Sequence, residues 1–319
     1  DKYKKLKFEE MKKKPLSIQT NDGWVGLVQH YFVSAWIPKE GLTRKFYTSE
    51  LTEKYYSIGT MSTINSIPAG GAVTIPARLY AGPQIHQDLV AAAPGLEYTV
   101  DYGWLTIIAK PLFWLLSKIH LLVNNWGGAI ILLTVLIKAA FFRLSASSYK
   151  SMAQMRELAP RLQALKEKFG EDKQKMQQAM MEMYRTEKIN PLGGCLPILV
   201  QIPVFISLYW MLLGSVELRH APFILWIQDL SAKDPYYVLP LLMGASMIVQ
   251  TYLNPTPTDP IQAKVMKIMP VVFSVFFFFF PAGLVLYWLV NNVLSIWQQW
   301  FINKSIHADA LAKKGNAKK

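Results

Sequence analysis

"ILLTVLIKAAFFRLS" (residues 131–145) places Lys138 inside a run that, Thr134 aside, is apolar from Gly128 to Phe142. A lysine near the middle of a bilayer-length helix costs about 2.5–3.5 kcal/mol on insertion scales, so the run is either not a span or the charge has a purpose. Composition decides for the span. Of 319 residues 52% are hydrophobic and 13% aromatic, yet Lys and Arg number 34 against 21 Asp and Glu. A chain this apolar and this basic fits a membrane protein with basic cytoplasmic parts better than a soluble domain. One cysteine excludes an internal disulfide framework.

Outward from Lys138, five segments reach spanning length: 128–145, 194–214, 236–253, 264–280 and 283–302. At about 1.5 Å per residue each covers a hydrocarbon core of roughly 30 Å. "PAG" at 281–283 breaks the last two into a tight hairpin. Basic residues cluster in 143–190 and in the tail, whereas 215–235 holds only Arg219 and Lys233. The positive-inside rule then puts 143–190, the loop 254–263 and the C-terminus in the cytoplasm, and residues 1–126 and 215–235 outside.

With that topology Lys138 is expected about 10 Å, by helical rise, from the cytoplasmic end of its span near Ser145. A snorkelling anchor is the plain reading of such a lysine. Arg143 and Lys150 already stand at that boundary, however, and the five spans contain no Asp or Glu to neutralise Lys138. Other polar residues lie at similar depth. Thr134 is one turn away; Gln201, Ser246 and Gln250 lie on the second and third spans; Tyr287, Asn291, Ser295 and Gln298 share one face of the fifth. Singly these are ordinary bridges between helices. Together with an unpaired lysine they predict a hydrophilic groove open to the cytoplasm.

Residues 1 to about 100 form a different, water-exposed α+β piece, with β-prone "KYYSIGTM" (54–61) and "GAVTIPARLY" (71–80) and a helical-looking "GWVGLVQHYFVSAWI" (23–37). The abrupt start at "DKYKKLKFEEMKKK" leads us to expect a beginning inside a larger domain. Residues 101–126 carry a polar stripe of Thr106, Lys110, Ser117 and Asn124 opposite Trp, Phe and Leu, the pattern of an amphipathic helix lying in the interface. In 146–190, Met152, Met155, Ala159, Leu162, Leu165 and Phe169, then Met176, Ala179, Met180, Met183 and Tyr184, recur at three- and four-residue steps around a turn at "GED" (170–172). This is a helical hairpin. Its methionines suit varied apolar partners, and its charge favours a polyanion such as ribosomal RNA or anionic lipid.

No catalytic constellation is present. HExxH, GxSxG and paired intramembrane aspartates are missing, and the five His are scattered. "IPAGGAV" and "NPLGGC" lack the lysine of a phosphate loop, and Cys195 has no nearby His to activate it. Neither an enzyme nor a metal or other cofactor is expected. A small-solute transporter or channel is the alternative, disfavoured by five spans, no detectable repeat and no acidic coordinating residue.

"KINPLGGCLPILVQIPVFISLYWML" (188–212), "DPYYVLPLLMGASM" (234–247), "DPIQAKVMKIMPVVF" (259–273) and "FPAGLVLYWLVNN" (280–292), in this order, resemble the YidC/Oxa/Alb family of membrane protein insertases in its Gram-negative form, as does "GWVGLVQHYFVSAWIP" (23–38). The resemblance implies insertion and folding of nascent inner-membrane proteins, alone or beside the Sec translocon, without a nucleotide. Partners implied are nascent chains, the ribosome, the Sec translocon and the signal recognition particle receptor; nothing points to DNA.

It implies a division into a C-terminal portion of a periplasmic β-sandwich (1–100), the interfacial helix (101–126), a five-span core (127–303) with its cytoplasmic hairpin (146–190), and a basic tail (304–319). The family's first span and most of its outer domain have no counterpart in these 319 residues. Lys138 falls where the family places a positive residue in its groove, usually arginine; lysine keeps the charge and loses the bidentate fork. Thr134, Gln201, Ser246, Gln250, Asn291 and Ser295 are the expected groove residues, and Ile202, Pro203, Tyr287 and Trp288 the expected contacts of a substrate's apolar segment.

Overall fold

The structure is a computed structural model, and it describes all residues except 1–2, 40, 53–54, 65, 170–171, 188–195, 255–259 and 317–319. The chain divides into two compact units, residues 1–103 with 214–217, and 104–213 with 218–319.

In the first unit a short helix α1 (Phe8–Lys13) precedes six strands, β1 (Ser17–Thr20), β2 (Val25–Gln29), β3 (Phe32–Pro38), β4 (Arg44–Thr52), β5 (Tyr55–Ser62) and β6 (Ala77–Pro83). They form two antiparallel three-stranded sheets, ordered β1-β4-β5 and β2-β3-β6. Helix α2 (His86–Ala92) covers the second. Val33, Ala35 and Ile37, alternating on β3, meet Leu89, Ala93 and Leu96 to make the core.

Residues 23–37 therefore fold as a β-hairpin and not as the helix their sequence suggested. Val25 pairs with Trp36 and Gln29 with Phe32, and the turn is closed by Tyr31 at φ 76°. The apolar residues of this stretch fit both periods, and burial of the alternate set on β3 selects the strand. "GAVTIPARLY" is strand only from Ala77 onward, after Pro76.

The second unit is all helical: α3 (Thr106–Val123), α4 (Trp126–Ala140), α5 (Phe142–Phe169), α6 (Lys173–Thr186), α7 (Leu196–Gly214), α8 (Val238–Leu253), α9 (Pro260–Phe277) and α10 (Ala282–Asn316). Helix α10 lies at the centre, packed on α8, α4 and α5; α9 packs on α8, α3 on α4, and α6 on α5. Gly244 lets α8 and α9 close together, since a Cβ there would stand 2.5 Å from Ser274 Oγ. Exposed faces of these helices carry Leu132, Leu136, Leu241, Leu242, Val271, Val275, Trp297 and Phe301, a belt suited to hydrocarbon and not to water.

The segments read as spans all recur as helices, with one correction of substance. The run 128–145 is not a single helix. α4 ends at Ala140, and α5 leaves at a bend of 67°. Phe141 takes φ −94°, ψ 12°, and its N–H turns to the Ile137 and Ala139 carbonyls; no Gly or Pro marks the break. Lys138 accordingly sits in the last turn of α4. Helix α10 continues through the basic tail as far as Asn316.

Residues Gly103–Val123 make the one helix among those described that is by itself long and apolar enough to cross a bilayer, and the bent α4–α5 pair passes the same test when taken together. α3 buries only Ala109, Leu116 and Ile119 along one side and leaves Ile107, Leu121 and Leu122 exposed.

The hairpin stripe is observed: Leu162 is buried, Met152, Met155, Ala159 and Leu165 half-buried on α5, and Met176, Ala179, Met180 and Met183 half-buried on α6. Asp172 caps α6 by accepting from Lys175 N–H at 3.1 Å. The rest of the "GED" turn lies outside the described residues, as do Cys195 and "NPLGGC".

Candidate functional site

Lys138 is brought to the site by the last turn of α4, where the carbonyl ends of the helix favour a cation. Its ammonium donates to Ser295 Oγ at 2.7 Å, and Ser295 in turn donates to the Asn291 carbonyl at 2.7 Å. Asn291 Oδ1 accepts from Gln201 Nε2 on α7 at 2.5 Å, and the Tyr287 side chain reaches the same glutamine. Tyr149 on α5 also hydrogen-bonds Ser295. Three helices, α4, α7 and α10, thus supply one continuous polar chain running Lys138, Ser295, Asn291, Gln201, Tyr287, which Tyr149 of α5 joins at Ser295.

A cavity of about 20 Å³ opens beside it, lined by Lys138, Gln201 and Ser145 among Ile137, Phe141, Leu144, Val200 and Val204. That volume holds on the order of one water. Among the described residues Lys138 forms no ion pair. Its charge is met by one hydroxyl and one helix end, both neutral.

The remaining predicted residues stand elsewhere. Thr134, 1% exposed, donates to the Ile130 carbonyl of its own helix. Ser246 faces the opposite side of α10, where Asn292 Nδ2 donates to it at 3.2 Å. Gln250 is half-buried and its side chain makes no hydrogen bond with a described residue. Ile202 is exposed, and the Pro203 carbonyl accepts from Ser207 Oγ at 2.7 Å. Tyr287 stacks on Phe205, which also meets Trp288 edge-on with ring centres 4.5 Å apart; Trp288 Nε1 is buried and has no hydrogen-bond partner among the described residues.

Sequence reading missed Asn292 and Gln299, the second polar face of α10. Gln299 donates to the Leu253 carbonyl and to Asn254 Oδ1, both at 3.2 Å, whereas Gln298 donates to the Phe142 carbonyl at 3.3 Å. The signal was present as two doublets seven residues apart, Asn291-Asn292 and Gln298-Gln299, each sending one side chain to either face. Among the described residues no group of His, Cys, Asp or Glu could hold a metal ion.

The far end of the helical unit is tied down by residues 218–237. Asp234 accepts from Trp226 Nε1 and Tyr236 N–H, each at 3.0 Å, and from Leu239 N–H at 2.7 Å at the start of α8. Ala282 and Gly283 at the start of α10 donate to the Ala232 and Leu230 carbonyls. Asn125 caps α4 through Gly128 N–H and holds the Phe223 carbonyl at 3.0 Å.

A helical unit with a lipid-suited exterior and a polar seam, joined in sequence to a separate β-sheet unit, defines a helical membrane protein with a β-sheet domain. Residues 118–309 match the family described as 60Kd inner membrane protein, and residues 1–115 match the YidC periplasmic domain. The chain belongs to the 60Kd inner membrane protein family.

Among its relatives, the Membrane protein insertase YidC of Methylobacillus flagellatus is 71% identical over 100% of this chain. That of Aromatoleum aromaticum is 60% identical over 98%. The chain spans 58% of the length of each of these two relatives. A solved structure described as an active YidC insertase with the first transmembrane domain resolved superposes with a TM-score of 0.54 at 21% identity, covering 88% of this chain and 75% of the other. It shows that the fold is shared.

Proposed function

We propose that this chain is the core of an insertase that passes nascent inner-membrane proteins into the bilayer, and that Lys138 is the electrostatic centre of its groove. The observation that carries the reading is the partially buried ammonium of Lys138 at the end of α4, held by the Ser295 hydroxyl with no carboxylate paired to it among the described residues. Such a cation keeps most of its attraction for an incoming anion, and at an effective dielectric of about 20 that attraction is roughly 4 kcal/mol at 4 Å. A polar substrate segment bearing Asp or Glu is drawn below the headgroups, its path through hydrocarbon shortened by the polar seam. Its apolar segment passes Ile202, Pro203, Tyr287 and Trp288 into lipid, where burial drives completion. No bond is made or broken, so no catalytic residue, nucleotide or metal is required.

In this reading α4 with the start of α5, and α7, α8, α9 and α10, are the five spans, and α3 lies in the interface. The hairpin α5–α6 and the C-terminus are cytoplasmic, placed to meet the ribosome and the signal recognition particle receptor. Residues 1–126 are periplasmic, and the Sec translocon is a lateral partner. The names carried by the relatives and the basic-residue asymmetry of the connections support this arrangement.

The test is reconstitution of the chain in liposomes with a single-span substrate whose translocated segment is acidic, scored by protease protection. Lys138→Arg is expected to insert it as the native chain does, and Lys138→Ala about tenfold less efficiently, in line with loss of a Coulomb term of one to a few kcal/mol. A substrate with a neutral segment is expected to be indifferent. Equal insertion of the acidic substrate by Lys138→Ala defeats the charge mechanism.

A further inference from the structure

A second, larger cavity of about 210 Å³ lies among α5, α8 and α9. It is divided by chemistry. Ile248 and Met266 form an apolar floor, while Arg156 from α5, Lys267 from α9, and Thr251 and Asn254 at the end of α8 form a polar rim. Arg156 and Lys267 are exposed, and among the described residues neither has a carboxylate within ion-pairing distance. Thr251 donates its own proton to the Met247 carbonyl at 2.9 Å, so toward the cavity its hydroxyl offers only a lone pair. The charged donors to a bound anion are therefore Arg156 and Lys267, beside which the Asn254 side-chain amide nitrogen and the Tyr252 hydroxyl can also donate.

We infer that this cavity binds the headgroup of one anionic phospholipid, with the phosphate diester between Arg156 and Lys267 and the first acyl carbons over Ile248 and Met266. A free anion explains the rim and leaves the apolar floor unused. A zwitterionic lipid would bring its own cation against Arg156 and Lys267. The apolar outer faces of α8 and α9 run on from the floor, with Val249 and Val265 exposed, and give the acyl chains a path into the surrounding bilayer. The site is separate from the Lys138 chain. It joins the hairpin helix α5 to α8 and α9, so a lipid held there would brace α5 against them.

The experiment is native mass spectrometry of the full chain purified in detergent and supplied with phosphatidylglycerol or phosphatidylcholine. The native chain is expected to retain one phosphatidylglycerol in preference to phosphatidylcholine on the order of tenfold, as two basic contacts near a membrane surface allow. Arg156→Gln with Lys267→Gln should erase the preference, while Lys304→Gln leaves it intact. Met266→Trp, which fills the floor and keeps both charges, should abolish retention; far-UV circular dichroism checks that each variant is folded. Excess inorganic phosphate should not displace the lipid from the native chain. Persistent preference in the double variant, unchanged retention in Met266→Trp, or displacement by phosphate each overturns the assignment. Retention is read without any insertion substrate and should survive Lys138→Ala, so failure here and failure of the insertase reading remain distinguishable.

Discussion

The carboxylate of Asp101 accepts from Gly103 N–H at 2.8 Å and pairs with Lys5 Nζ at 3.2 Å. Partial burial alone would raise its pKa, but the Gly103 amide and the Lys5 ammonium outweigh that and hold it below the ordinary carboxylate value. A depressed folded-state pKa stabilises the fold above the unfolded value, about 3.9, and the contribution disappears as pH falls through the folded value. Thermal melts of the native chain and Lys5→Met should therefore differ at neutral pH and converge in strong acid; a constant gap across that range would mean that the Lys5 effect is not electrostatic. Lys138 shows the opposite economy. Where Asp101 has a full counter-charge, Lys138 has one hydroxyl and the end of α4, and that deficit was visible in the sequence as a lysine among spans without an acid. The Ser295 hydroxyl was legible as one of a helical stripe; the position of Lys138 in a final turn was not, because Phe141 ends α4 without a glycine or proline.

At the scale of elements, apolar length and three- to four-residue periodicity were enough to locate the helices, since a long helix repeats its signal many times. The β-hairpin 23–37 was misread because its strands are five and seven residues long and their pairing is decided by contacts with α2, which lie far off in the chain. Residues 215–235 were read only as an outer loop, and the order of 218–237 comes from Asp234. That side chain is 2% exposed and serves three donors from three residues, so removing it orphans several at once. Each buried donor left unpaired costs about 1–3 kcal/mol, and Asp234→Ala should lose at least about 2 kcal/mol in unfolding titrations followed by far-UV circular dichroism. Asp234→Asn, which keeps one acceptor oxygen, should fall between. An Ala variant as stable as the native chain would show that the loop is held by Leu218, Leu230 and the main-chain bonds to α10 alone.

Over the whole molecule, α10 is the member against which the others are ordered, and its two polar faces divide the work. Tyr287, Asn291, Ser295 and Gln298 look toward α7, α4 and α5; Asn292 and Gln299 look toward α8. Only the first face could be read in advance, because only it was joined in sequence logic to the lone cation. Adjacent asparagines with separate partners make a sharp test of this division. In a double-mutant cycle, Gln201→Leu and Asn291→Leu remove the two ends of one hydrogen bond, and their coupling should lie near the average of about 0.6 kcal/mol measured for bonds between helices in membranes and not above about 1.7 kcal/mol. Gln201→Leu with Asn292→Leu, one residue further along the same helix, should be additive within about 0.3–0.5 kcal/mol, since the two side chains share no partner. Stability is read by unfolding in mixed micelles. If Asn292 couples to Gln201 as strongly as Asn291 does, the two faces act as a single network, and the separation of the Lys138 chain from the α8 contacts fails.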